Sequence, residues 1–249
     1  MSEKDSPDED REVPEEGPPL LRVVSTNELE EMLSLHRMWI ESSGEEGQRA
    51  EFSQCSLREA YFQGANLRGA IFRRADLQLA EFQTADLFRA EFAEADLIKA
   101  NFLKAKLRQA NFNNANLIEA HLQEADLRGA NLEEADLREA NFLDAQLGKA
   151  NLKSVYARNA NFFMVNLREA DLQKADLREA DLQGVDLQGA DLRNARLQDV
   201  RMSGAELLEA DMQGADLLDA LGLTMAQVTL ATLDESTRLP SYLSASATA

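Results

Sequence analysis

The chain has 249 residues and a formal net charge of -19, with 45 acidic and 26 basic residues. This excess of acid argues against direct binding of nucleic acid, whose phosphates it would repel. The single cysteine, Cys55, excludes a disulfide within the chain, and no apolar run is long enough to span a membrane. With no signal-peptide pattern at the start, these features predict a cytoplasmic protein.

The first segment, residues 1–24, is acidic and contains four of the five prolines. Such a segment has too few apolar side chains to offset the entropy lost on ordering. We therefore predict a disordered acidic tail over residues 1–24.

The second segment, residues 25–49, has the pattern of a helix followed by a turn. Ser25 and Glu28 form a capping-box pattern. Apolar side chains then recur at helical spacing at Leu29, Met32, Leu33, His36, Trp39 and Ile40. We interpret this stripe as a cover for the N-terminal end of the structure that follows, with a partner-binding helix as the alternative. Gly44 and Gly47 predict the turn.

From residue 50 to residue 219 the sequence repeats every five residues. The third residue of each unit is Leu, Phe or Met in 33 of 34 units, and Ala157 is the exception. The first residue is Ala in 29 units and Cys or Val in the others. Phe and Leu alternate strictly at the third position from Phe52 to Leu117.

A period of five fits neither an α-helix nor a plain strand. It would spread the apolar residues around a helix, and strand side chains alternate every two residues. A short extended stretch that points the first and third residues inward, followed by a corner, satisfies the pattern. Four corners close a coil of 20 residues, and stacked coils form an all-β solenoid of about 8.5 coils.

The last segment, residues 220–249, leaves the repeat and predicts a second cap. Thr224 can begin a short helix. Apolar side chains at Val228, Leu233, Leu239, Tyr242 and Leu243 supply cover for the open end. A second copy of the chain is an alternative cover, so this segment is also a candidate dimerisation element.

Units such as Ala125-Asp126-Leu127-Arg128-Gly129 resemble the Ala-(Asp/Asn)-Leu-X-X consensus of the pentapeptide-repeat family. The resemblance covers about 170 residues, and it implies a right-handed quadrilateral β-helix. It also implies short helical caps at both ends and, from family members that pair end to end, a C-terminal homodimer.

Nothing in the sequence predicts catalysis. The two histidines, His36 and His121, have no cysteine, serine or metal-ligand partner at a useful spacing. The glycines are scattered and form no phosphate-binding loop. We therefore predict a protein that is not an enzyme and that needs no cofactor or metal.

Function is then expected on the outward positions, where the C-terminal third is the most acidic part of the repeat. Six aspartates form the candidate partner-binding face, interpreted as corner positions: Asp171, Asp176, Asp181, Asp186, Asp191 and Asp211. Some pentapeptide-repeat proteins bind type II topoisomerases as mimics of DNA. The resemblance therefore suggests DNA gyrase or topoisomerase IV as the partner, inhibited or protected by this face.

A second hypothesis rests on outward apolar residues. Leu143, Phe163 and Met164 are predicted to stack into one patch, because residues 20 apart lie above one another. Such a patch is typical of a scaffold or regulatory protein that binds an unrelated protein partner. This reading predicts little dependence of binding on salt.

Overall fold

A computed structural model describes residues 21–244, and the repeat within it forms a four-sided coil. Each second-position residue pairs in parallel with the residue 20 positions later, from Glu51 with Ile71 to Arg201 with Leu221. Regular elements are few: β1 (Arg22–Val23), α1 (Thr26–Glu41), β2 (Cys55–Ser56), α2 (Met225–Val228) and α3 (Ser241–Ser244).

Four stacked columns of second-position residues define the four sides of the rod, and each side is named with the five-residue units that it contains. Side A contains Glu51 to Asp211, side B Ser56 to Asp216, side C Tyr61 to Leu221, and side D Asn66 to Glu206. The corner that follows each column is counted with that side.

The backbone hydrogen bonds explain why extended stretches stay so short. In the unit that begins at residue 60, the Phe62 N–H donates to the Glu81 carbonyl of the next coil (2.7 Å). The Ala65 N–H donates back to the Phe62 carbonyl (3.0 Å) and closes a turn. The fifth residue has positive φ in every unit, as in Gly64 and Arg74, which is typical of a type II turn. Each unit is therefore mostly corner, which leaves one bridging residue in place of a predicted strand.

The third-position side chains form a continuous dry core. Phe82 and Phe102, 20 residues apart on one side, stack with ring centroids 4.9 Å apart. Phe92, on the opposite side, meets both rings edge-on at 5.7 and 5.8 Å. The alternation of Phe and Leu thus fills the coil from two opposite sides with rings that also touch across the axis.

The second position selects Asp or Asn for a local reason. Its side-chain oxygen accepts the N–H of the fourth residue, as Asp76 does from Gln78 (3.2 Å) and Asn101 from Leu103 (3.1 Å). The predicted Asn ladder is confirmed, since the Asn131 amide donates to Asn111 (3.2 Å). The prediction that second positions are corners is wrong: they lie in the straight part of each side, and the corners are the fourth and fifth positions.

The N-terminal segment packs on the first coil. Ser25 accepts the Glu28 N–H (3.3 Å), but only this half of the capping box forms because the Glu28 carboxylate binds Arg22 instead. Leu29, Met32 and Leu33 of α1 pack against the core. Residues 1–20 of the predicted tail lie outside the described residues, and its last residues are structured, because β1 pairs with β2.

His36 is fully buried where α1 meets the first coil. Its Nδ1 accepts the Ala50 N–H (3.1 Å), and its Nε2 has no hydrogen-bond partner among the described residues. Burial, and to a lesser extent the nearby Arg49 charge, lower the His36 pKa below the ordinary 6.5. The folded protein therefore holds this imidazole neutral.

Stability should fall as the pH drops below about 6.5. The unfolded chain binds a proton at His36 there and the folded chain does not, so stability is complete above 6.5 and declines by up to about 1.4 kcal/mol per pH unit. The measurement is the free energy of unfolding between about pH 5 and 7.5. His36→Asn, which keeps an acceptor for Ala50, should flatten this slope, and His121→Asn should not. An unchanged slope in His36→Asn would refute this account.

The C-terminal segment adds one more irregular coil. Thr232 pairs with Asp211 and Arg238 with Asp216, at spacings of 21 and 22 residues in place of 20. The Thr224 and Gln227 side chains form a complete capping box at the start of α2, as the short-helix prediction requires. The Gln227 amide also donates to the Ala205 carbonyl (2.9 Å), so α2 replaces the next unit of side D.

Candidate protein-binding surfaces

The six predicted acidic residues do not form one surface. Asp171, Asp191 and Asp211 stack on side A as predicted, but Asp176 lies on side B, Asp181 on side C and Asp186 on side D. Consecutive units turn by one side each, so adjacency in the sequence distributes these carboxylates around the rod.

The side A column is balanced by bases. Asp171, Asp191 and Asp211 share their part of side A, residues 150–214, with Lys153, Lys174 and Arg193. Arg193 binds Asp191 at 2.6 Å and lies 3.7 Å from Asp211. Burial opposes ionisation of Asp191, but hydrogen bonds from Arg193 outweigh it and hold the pKa of Asp191 below its usual range. This column is therefore ionised but not a net acidic surface.

Asp176 belongs to an ionic cluster on side B. It is only 6% exposed and contacts three guanidinium groups, those of Arg178 (2.6 Å), Arg158 (2.9 Å) and Arg196 (3.7 Å). Asp181 and Asp186 are also paired, with Arg201 (2.9 Å) and Arg168 (3.1 Å). These carboxylates consequently stabilise the coil, and a partner would have to displace arginines to reach them.

A different acidic column is exposed. Glu179, Asp199 and Asp219 stack at the fifth position of side B, and none forms an ion pair within residues 21–244. Their spacing of about 4.8 Å is close to the ~3.4 Å of axis per charge on one DNA strand. Sequence reasoning passed over this acidic ridge because only second positions were considered.

The predicted apolar patch does form. Leu143 and Phe163 are neighbours on side C, where the Asp144 N–H donates to the Phe163 carbonyl (3.1 Å). Phe163 is 39% exposed and Met164 52% exposed. The Met164 sulfur lies over Gly184, only 2.5 Å from where a Cβ would stand. Leu143, Phe163 and Met164 are called the side C patch below.

The surroundings of the side C patch are small and uncharged. Above it stand Gln183, Gly184, Ser203 and Gly204, and the Asp181–Arg201 pair at the second position is internally neutral. A flat neutral area is unusual in a chain in which 29% of residues are charged. It offers a partner an apolar contact with little electrostatic cost.

The basic surface of the rod was missed entirely. On side D, residues 65–149 carry two acids, Asp86 and Asp126, against six bases: Arg68, Arg89, Lys106, Arg108, Arg128 and Lys149. Counting charge by segment hid it, because each base lies 20 or so residues from the next. Reading every twentieth residue would have found it.

An apolar groove of about 280 Å³ lies at the N-terminal end of side D. Trp39, Ile40 and Phe88 provide its apolar walls. Arg68 and Arg89 lie over the Phe88 ring, with their guanidinium carbons 4.6 and 5.0 Å from its centroid. Arginine stacking keeps these charged groups in place beside an apolar surface.

The C-terminal candidates mostly face their own chain. Val228 and Leu243 are buried, and Leu233 and Leu239 pack against the core. The Tyr242 hydroxyl accepts the Leu223 N–H and donates to the Ala220 carbonyl, both at 3.1 Å. These residues cover the last coils, so dimerisation through them would require them to unpack; it stays an untested prediction.

Within residues 21–244 no group of three acidic, histidine or cysteine side chains could hold a metal ion. No helix in this part of the chain is long and apolar enough to cross a membrane.

A family model described as pentapeptide repeats matches eight copies, over residues 50–153 and 160–220. The chain is a pentapeptide-repeat protein. Membership gives the solenoid its right-handed, quadrilateral form and confirms the resemblance seen in the sequence.

Solved structures are similar to this pentapeptide-repeat protein along most of its length. One is HetL, a pentapeptide repeat protein involved in heterocyst differentiation regulation in the cyanobacterium Nostoc sp. strain PCC 7120. It is 28% identical, with a TM-score of 0.72, and the match covers 82% of this chain and 91% of HetL.

QnrB1, a plasmid-mediated fluoroquinolone resistance protein, is 22% identical to this pentapeptide-repeat protein, with a TM-score of 0.47. The match covers 76% of this chain and 91% of QnrB1. That score is too low to align the sides of the two rods. A search of curated proteins finds no match.

Proposed function

We propose that this protein is a non-enzymatic regulatory module that binds a protein partner through the side C patch. The observation that carries the proposal is the exposure of Phe163 and Met164 beside small, uncharged residues. The partner fitted to this surface is a protein that presents an apolar, weakly charged area.

Two further points support a binding role. The inward positions are occupied by packed Ala, Leu and Phe, which leaves the outward positions free to vary around a rigid frame. HetL, similar over most of both chains, is involved in regulation, which favours a regulatory role over a purely structural one.

Changing the side C patch should abolish partner binding without unfolding the rod. Phe163→Ser removes an aromatic anchor at an outward position, so binding should weaken at least tenfold while the unfolding midpoint changes little. The measurement is capture of the partner from cells that express the protein, followed by titration of that purified partner. Leu79→Ser, at an equally exposed leucine on side B, is the matched control.

The salt dependence separates this proposal from an electrostatic one. Apolar docking should survive about 0.5 M salt, where exposed charges are screened beyond ~4 Å. Equal binding by Phe163→Ser and the native protein would refute the role of the patch.

A second candidate function is DNA mimicry toward a type II topoisomerase, and the acidic ridge favours it. Glu179, Asp199 and Asp219 present a row of exposed, unpaired charges, in contrast to the balanced aspartates of side A. Binding through this ridge would be strongly salt-dependent.

The test is a gyrase supercoiling assay with added purified protein. Inhibition or protection should appear at micromolar protein, and the triple change Glu179→Gln, Asp199→Asn, Asp219→Asn should remove it. The matched control changes Asp171, Asp191 and Asp211 to Asn, which alters a balanced column. No effect of the native protein on supercoiling would exclude this candidate.

A further inference from the structure

Side D carries opposite charges at its two ends. Its lower half, residues 65–149, has six bases and two acids, as described above. Its upper half, residues 165–209, has one base, Arg168, and four acids: Glu169, Asp186, Glu206 and Glu209. Some of these charges form pairs along the rod, but Arg89, Lys106, Glu206 and Glu209 have no ion pair within the described residues.

Apolar groups accompany both ends. The lower half contains the groove formed by Trp39, Ile40 and Phe88. The upper half presents Leu208, 45% exposed, and Leu230, 51% exposed. The Glu209 N–H donates to the Leu230 carbonyl (2.9 Å), which places Leu230 beside the acids of side D. Each end therefore has what the other lacks: a groove with bases, or projecting leucines with acids.

Gly148 lies midway between them. Phe88 precedes it by three coils and Leu208 follows it by three, all at the fourth position of side D. The other fourth positions on this side, from residue 68 to residue 208, carry side chains, four of them arginines.

Gly148 also differs from every other described glycine, because its φ is not positive. Its backbone therefore does not require glycine. A glycine inside a sheet without such a need is typical of a point where another backbone approaches closely.

We propose that side D binds side D of a second copy in antiparallel orientation, with a two-fold axis at Gly148. Two-fold pairing is self-complementary, so each surface must contain both halves of the contact. The axis brings Leu208 of each copy onto Phe88 of the other, and Glu206 and Glu209 onto Arg89. Leu230 then faces the groove at Trp39 and Ile40. Gly148 meets its own copy at the centre, where any side chain would separate the two sides.

The register has one repulsive contact, and it is compensated. Arg128 faces Arg168 of the other copy on either side of the axis, but Arg128 already binds Asp126 (2.6 Å) and Arg168 binds Asp186 (3.1 Å). Eight coils at ~4.8 Å give a side roughly 38 Å long. A contact of that length and one side wide is slightly smaller than the ~800 Å² per partner of a standard interface, so the pair should be of micromolar affinity and salt-sensitive.

Sedimentation equilibrium of the full chain tests the pairing. At about 0.05 M salt the native protein should reach twice its monomer mass of 27.7 kDa, and at about 0.5 M salt it should return to one. Gly148→Arg should weaken the pair at least tenfold while the monomer stays folded. A Cβ at this position would lie 3.6 Å from Asn166 and 3.7 Å from the Arg168 carbonyl, which are ordinary contacts.

A charge-swap experiment identifies the two ends. Glu206→Lys with Glu209→Lys, and separately Arg89→Glu with Lys106→Glu, should each prevent self-association, because each makes side D of one sign. Mixed together, the two variants should pair again, since both contacts then join opposite charges. Glu134→Lys with Glu139→Lys, exposed on other sides, is the matched control and should leave the native pair intact.

Three results would overturn the proposal: a native protein that is monomeric at about 100 μM in low salt, a pair that tolerates Gly148→Arg, or single-sign variants that do not recombine. The second result would also be expected of a pair formed through the C-terminal segment, and in that case Leu233→Ser would dissociate it.

Discussion

Replacing Phe92 by Ala should lower the free energy of unfolding by about 3–5 kcal/mol. Phe92 is fully buried and stacks on Phe72 (4.8 Å) and Phe112 (4.9 Å). It also meets Phe82 and Phe102 edge-on. The coil above and the coil below hold the backbone in place, so the cavity cannot collapse. Chemical denaturation followed by circular dichroism measures the loss.

Phe92→Leu is the matched control for this prediction. Leucine already fills the same column at Leu132, so the loss should be about 1 kcal/mol. A loss below 1 kcal/mol in Phe92→Ala would mean that the stacked rings contribute little beyond what any apolar residue contributes.

Replacing Gly47 by Ala should detach α1 from the first coil. Gly47 has φ of 73°, and a Cβ there would lie 2.2 Å from the Leu35 carbonyl oxygen and 2.7 Å from the Trp39 nitrogen. Those atoms belong to the helix backbone and cannot move away cheaply. We expect a loss of at least about 3 kcal/mol in the docking of the helix, well above the ~1 kcal/mol cost of positive φ alone.

Gly69→Ala separates the two causes. Its φ is nearly the same, 69°, but a Cβ would meet only the Arg49 side chain, at 3.8 Å. Trp39 is the only tryptophan, so its fluorescence reports α1 directly. Its emission should shift to longer wavelength in Gly47→Ala and stay unchanged in Gly69→Ala. The same spectrum in both variants would contradict the proposed clash.

The inward positions could be predicted because they obey one rule. A buried Leu or Phe every five residues, with Ala two residues before it, can only be satisfied by a coil of four corners. The pairing of residues 20 apart, the Asn131–Asn111 ladder and the Leu143–Phe163 contact followed from that rule alone.

The outward positions were harder to predict because their meaning depends on neighbours in three directions. Asp176 looks like any other repeat aspartate in sequence, yet three arginines from units at residues 155–199 surround it. The positive φ at the fifth position is equally hidden, since Glu, Lys and Arg fill it as often as Gly. The hydrogen bonds between coils impose that conformation on residues that would not choose it.

The central claim is that function lies on the side C patch, and site-specific photo-cross-linking tests it most directly. A photoreactive phenylalanine analogue would replace Phe163 on side C or, as a matched aromatic position on side D, Phe88. The account predicts a cross-link to a partner protein from position 163 and none to that partner from position 88. A partner captured from position 88 and absent at position 163 would contradict it.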